Sequence, residues 1–148
     1  MTPRGTVFYH SRFPFKNGTQ GAKYLVLLNT PAGDEPYLLV KTTSQQKNRP
    51  KTPGCIKKQS LFFIPASKTL FPLDTWVQLY EMYEVPDVGQ DLSYQTRGSL
   101  DSRMMDKIIE CLFLTQGDDL TPHQKELLKQ PLGDGIQKLK EHFAKRRR

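Results

Sequence analysis

A chain of 148 residues, 36% hydrophobic and 25% charged, has room for one core domain with at most a small appendage, and two full-sized domains are excluded. No apolar run approaches the ~18 residues of a membrane-spanning helix. The formal net charge of +7 points to a polyanionic partner.

The N-terminus, Met1-Thr2-Pro3-Arg4-Gly5, lacks the apolar stretch of a secretory signal, so the expectation is a cytoplasmic protein. Residues 6–9, 24–28, 37–42, 61–64 and 75–80 are short runs rich in β-branched and aromatic side chains, which read as strands. Turn chemistry fills the gaps: Phe15-Lys16-Asn17-Gly18, Thr30-Pro31-Ala32-Gly33-Asp34, and the Pro/Gly-rich stretch 48–54. About five such strands suggest a small, strongly bent barrel over residues 1–85. Residues 86–98 have the composition of a polar linker.

From residue 99 the period changes. Leu100, Met104, Met105, Ile108, Ile109 and Leu112 recur at helical spacing, with Ser99 as the expected N-cap. Thr121-Pro122-His123-Gln124 combines a Thr cap, Pro at the first helical position and Gln three residues after the cap, and the helix it starts should stop before Pro131. Asp134 could cap a third helix carrying Ile136, Leu139 and Phe143, ahead of the basic run 145–148. The expected class is α+β, mainly β: a barrel followed by a C-terminal helical segment, residues 99–148, with a basic tail. The apolar stripe of that segment suits packing on the barrel or on a second subunit.

Charge is sorted along the chain. Residues 1–73 hold eleven bases against two acids, a net +9, whereas residues 74–144 hold seven against thirteen, a net −6. Such sorting is the footprint of a surface that meets nucleic acid, although two halves of opposite sign can also face and neutralise each other. Arg12, Lys16 and Lys41, with Lys47, Arg49 and Lys51 of the long loop after residue 45, are the candidate RNA-binding bases. Phe8, Tyr9, Phe13, Phe15 and Tyr24 could stack bases.

RNA cleavage by the neighbouring 2′-hydroxyl needs a proton acceptor, a proton donor and positive charge at the phosphorane. In a half almost without carboxylates the candidates are His10, Lys23 and the hydroxyls of Thr43 and Ser44, with Arg12, Lys41 or Arg49 as electrostatic stabilisers. A two-metal nuclease would need clustered acids. Cys55 and Cys111 lie far apart and His10, His123 and His142 are isolated, so no metal or cofactor is expected. The cysteines read as two reduced thiols in preference to a disulfide.

Gly5-Thr6-Val7, then Phe13-Pro14-Phe15 with Gly18, then Gly21 to Leu27, then Lys41-Thr42-Thr43-Ser44-Gln45 form an ordered set. In order and spacing, over about residues 5–80, this set resembles the PemK/MazF-like toxins of toxin–antitoxin pairs. The resemblance implies an SH3-like barrel, commonly a homodimer, that cleaves single-stranded RNA without a metal and is held in check by an antitoxin, here expected to be acidic. It also implies that Thr43, Ser44 and Gln45 take the place of the family's "T-S-Q". The family's Arg before the "P-A-L-V-L" strand does not carry over: Ala22 stands in its place and Lys23 in that of the Pro. Lys is a point donor and not a planar fork. An alternative is therefore a non-catalytic RNA- or protein-binding module on the same barrel.

Overall fold

The structure, a computed structural model, describes residues 2–66 and 68–129. It is α+β, mainly β. Seven strands, β1 (Thr6–Pro14), β2 (Gln20–Leu27), β3 (Tyr37–Thr43), β4 (Gly54–Ile56), β5 (Leu61–Ile64), β6 (Thr75–Val85) and β7 (Gln95–Ser99), precede two helices, α1 (Ser102–Gln116) and α2 (Pro122–Lys129). The strands form one antiparallel sheet in the order β4-β5-β6-β3-β2-β1-β7. The third helix expected from Asp134 and the basic tail lie outside the described residues.

Both faces of the sheet are apolar, which is why β3 runs Leu38-Leu39-Val40 without a polar break. Alternate residues serve opposite cores. Val7, Val26, Leu38, Val40, Val77 and Leu79 pack with Met105, Ile108 and Leu112 of α1, while Phe8, Leu25, Leu27 and Leu39 gather Phe13, Tyr83 and Val88 on the other side. Bulges bend this sheet. Ser11 and Arg12 lie between the pairs His10↔Lys23 and Phe13↔Gly21, and β6 inserts several residues between Met82, opposite Val40, and Val77, opposite Thr42.

The polar stretch read as a linker contains all of β7 but its last residue, Ser99, and this strand pairs with β1 from Thr6↔Ser99 to Tyr9↔Gln95. Its residues are all exposed, so no apolar alternation marks it. The Ser99 backbone is thereby part of the ladder, and Leu100 N–H donates to the Gly5 carbonyl at 2.9 Å. The helix consequently starts later than expected, with Asp101 as its cap accepting from Met104 N–H at 2.7 Å. At α2 the capping box forms as read: Gln124 N–H donates to Thr121 Oγ1 at 3.0 Å, and Thr121 N–H donates to Gln124 Oε1 at 2.9 Å.

The cysteines overturn the expectation of free thiols. Cys55 on β4 and Cys111 on α1 form a disulfide with a Cα–Cα distance of 5.5 Å. Residue spacing could not show this, because α1 returns across the sheet to cover its edge.

Candidate functional site

Strand β2 brings Lys23 and Tyr24 beside the end of β3, where the chain leaves the sheet through Thr43, Ser44 and Gln45. Tyr9 of β1 and the segment from Phe71 to Leu73 complete the walls of a cavity of about 340 Å³. Four residues named from the sequence, Lys23, Thr43, Ser44 and Gln45, therefore share one concavity. No carboxylate is among its lining residues.

The local chemistry follows from the ladder. Thr42 Oγ1 donates to the Tyr24 carbonyl at 3.0 Å, tying β3 to β2 at the cavity floor. Gln45 N–H donates to Thr43 Oγ1 at 3.2 Å, so the Thr43 side chain holds the turn as an acceptor and does not use its own proton in that bond. Tyr9 and Tyr24 are directly opposed in register, with ring centroids 5.2 Å apart. The Arg97 guanidinium lies 4.9 Å from the Tyr9 ring centre, and Tyr24 meets Phe71 edge-on at 5.7 Å.

Lys23 is half-buried. Burial first, and the charges of Lys41 and Arg49 next, lower its ammonium below the ordinary lysine range. Arg49 donates to the Gln45 carbonyl at 2.7 Å and so folds the basic loop back toward the cavity. Positive charge is thus concentrated without a carboxylate in contact with Lys23, an arrangement that favours binding an anion.

The remaining candidates are dispersed. His10 faces Lys23 across the β1–β2 ladder, yet its ring lies 4.7 Å from that of Tyr94 and 5.8 Å from that of Phe13, and it does not line the cavity. Arg12 N–H donates to its Nδ1 at 3.0 Å, which occupies the lone pair a base would use. Lys41 pairs with Glu81 at 2.9 Å and stands over Phe15 at 4.9 Å. Lys51 pairs with Asp74 at 3.3 Å, and Lys16 lies 5.2 Å from the ring centre of Tyr83. Arg12 and Lys47 are exposed.

Glu81 is the residue that sequence reasoning passed over. Burial alone would raise its carboxyl, but the hydrogen bond and charge of Lys41, aided by Tyr83 and Lys16, outweigh burial and hold it below the ordinary value. Its neighbour Tyr83 is pushed up to about 12, by burial first and by the Glu81 charge second. Arg97 was also hidden, because it sits in the stretch read as linker. Among the described residues no three His, Cys, Asp or Glu side chains converge as metal ligands would, and no helix is long and apolar enough to cross a membrane.

Compared with known proteins, the chain matches no protein-family model and no curated protein.

Proposed function

We propose that the chain is a metal-independent endoribonuclease that cleaves single-stranded RNA at the Lys23 cavity, on an SH3-like barrel of the PemK/MazF-like toxin type. In this reading it acts in the cytoplasm as a homodimer whose basic face an acidic antitoxin covers. One observation carries the reading: Lys23 of β2 and the consecutive Thr43, Ser44 and Gln45 at the end of β3 line one carboxylate-free cavity walled by the Tyr9–Tyr24 pair.

The roles follow from the chemistry. A scissile phosphate in the cavity meets the Lys23 ammonium, which offsets the charge building on its non-bridging oxygens. The hydroxyls of Thr43 and Ser44 donate to the same oxygens. An adjoining base stacks on the tyrosine pair. Attack of the 2′-oxygen on phosphorus, its proton passing to solvent water, expels the 5′-oxygen of the next nucleotide, which takes a proton from water, leaving a 2′,3′-cyclic phosphate and a 5′-hydroxyl.

A second reading, a binding module that holds RNA and cleaves nothing, is favoured by a specific observation. No imidazole or carboxylate lines the cavity to take the 2′-hydroxyl proton, and Ala22 stands where the family's pattern has Arg. Incubation of the protein in excess with mixed single-stranded RNA in EDTA separates the two. Fragments ending in cyclic phosphate support the nuclease; intact RNA that is bound supports the module; RNA neither bound nor cut removes both.

A further inference from the structure

We propose that the Cys55–Cys111 bond is a reversible thiol–disulfide site that fastens the basic loop 44–53 and its edge strand to α1, and that an external thiol opens it in the native protein. The proposal does not depend on the RNA reading.

Access is built in. Beside the bond is a cavity of about 250 Å³ lined by both cysteines and Leu114, with Lys57, Lys107 and Glu110 around it. Two ammonium groups against one carboxylate favour approach of an anionic thiolate. Cys55 is partly exposed, whereas Cys111 is 1% exposed, so a thiol reaches the bond from the Cys55 side. The incoming thiolate bonds to Cys55 Sγ and the Cys111 sulfur leaves with the electron pair of the broken S–S bond. A second external thiolate then attacks the external sulfur of that mixed disulfide and releases Cys55. Two external thiols are oxidised to one disulfide, and their two protons finish on Cys55 and Cys111.

The reduced state is also provided for. Cys111 Sγ lies 3.6 Å from the Leu61 carbonyl oxygen, within reach for a thiol to donate its proton. These are the chain's only two cysteines, so no third thiol within it can divert the exchange. Cys111 belongs to the same core cluster as Ile108 and Leu112, which keeps α1 on the sheet when the bond opens.

Opening the bond acts locally. β4 is three residues long and pairs only with β5, at the sheet's edge. Beyond the disulfide and the contacts of β4 with α1, the loop is held by polar ties: Arg49 to the Gln45 carbonyl, Gln59 to the Asn48 carbonyl, Trp76 Nε1 to the Pro50 carbonyl, and Lys51 to Asp74. Reduction therefore loosens the segment that carries Lys47, Arg49 and Lys51 without unfolding the sheet.

The test is hydrogen exchange of the native full chain before and after treatment with dithiothreitol, with thiols counted by mass, followed by reoxidation with oxidised dithiothreitol. Residues 46–59 should exchange about ten-fold faster or more when reduced, β2, β3 and α1 should stay far better protected than that segment, and reoxidation should restore protection. In Cys55→Ser the same segment should exchange fast and ignore dithiothreitol. A bond that opens only in denaturant, a reduced protein in which β2 and β3 are as unprotected as residues 46–59, or one with an unchanged loop would overturn the proposal.

Discussion

Lys41 Nζ and Glu81 Oε2 are 2.9 Å apart, and this ion pair joins the basic first half of the chain to its acidic second half. The β6 bulge puts Glu81 there, because the irregularity between Met82 and Val77 falls beside Lys41. Arg4–Asp106 and Lys51–Asp74 cross the same divide. Charge sorted along the sequence is thus partly neutralised in space, and the field at the cavity rests on Lys23 with Lys41 and Arg49 near it.

Replacing Glu81 by Gln leaves the Lys41 ammonium, 16% exposed, without its counter-charge. The expected loss is about 1–3 kcal/mol, below the cost of breaking a fully buried pair. The folded-state carboxyl titrates below its unfolded value, so its stabilisation is fully present above the ordinary carboxylate range and disappears as pH falls through the lowered one. Urea midpoints of the two proteins should therefore differ at neutral pH and converge in acid. An equal gap at both would contradict this account.

Gly5 tests the junction of β1 and α1. Its φ of +96° lies in the region L side chains avoid, and an added Cβ would stand 2.7 Å from the Leu100 carbonyl oxygen. Gly5→Ala should cost about 1–3 kcal/mol from backbone strain, plus the close contact. A denaturation midpoint unchanged from the parent would mean that the β1–α1 junction is arranged differently.

These two sites show where sequence reasoning reaches. The five apolar strands were legible because Val26, Val40 and Val77 sit in short β-branched runs, and the α1 stripe and Thr121 box were legible because their periods are local. β4 and β7 were not: Gly54-Cys55-Ile56 is too short for a pattern, and Gln95 to Ser99 is held by backbone pairing alone. At the cavity, Lys23 and Thr43 could be named from motif order. Glu81 could not, since its partner is set by a bulge, and the burial of His10 depends on Tyr94 folding over the sheet.

The disulfide gives a third prediction. It closes a sequence separation of 56 residues, for which chain entropy predicts a stabilisation of about 4 kcal/mol. Cys55→Ser should lower the urea midpoint accordingly under non-reducing conditions, while dithiothreitol should lower that of the parent and leave the variant's unchanged. A parent indifferent to dithiothreitol despite two counted thiols would show that the bond adds nothing to stability.

Lys23 separates function from stability. Its lowered value means that the unfolded chain holds this proton more tightly than the folded protein does, so folding stability rises with pH through the interval from the lowered to the ordinary lysine value. At neutral pH the half-buried ammonium opposes folding, and Lys23→Met, which keeps the length and removes the charge, should be as stable as the parent or more so. Binding should move the other way. Affinity for single-stranded RNA should fall, with the slope of log K against log salt reduced by about 0.7 if one phosphate contact is lost. If the cavity cleaves, the rate should fall about 10²-fold or more. In the parent, affinity should weaken toward alkaline pH earlier than for an ordinary lysine site. A Met variant that loses stability along with RNA affinity would make Lys23 part of the packing, and one that keeps its full salt slope would place the phosphate elsewhere.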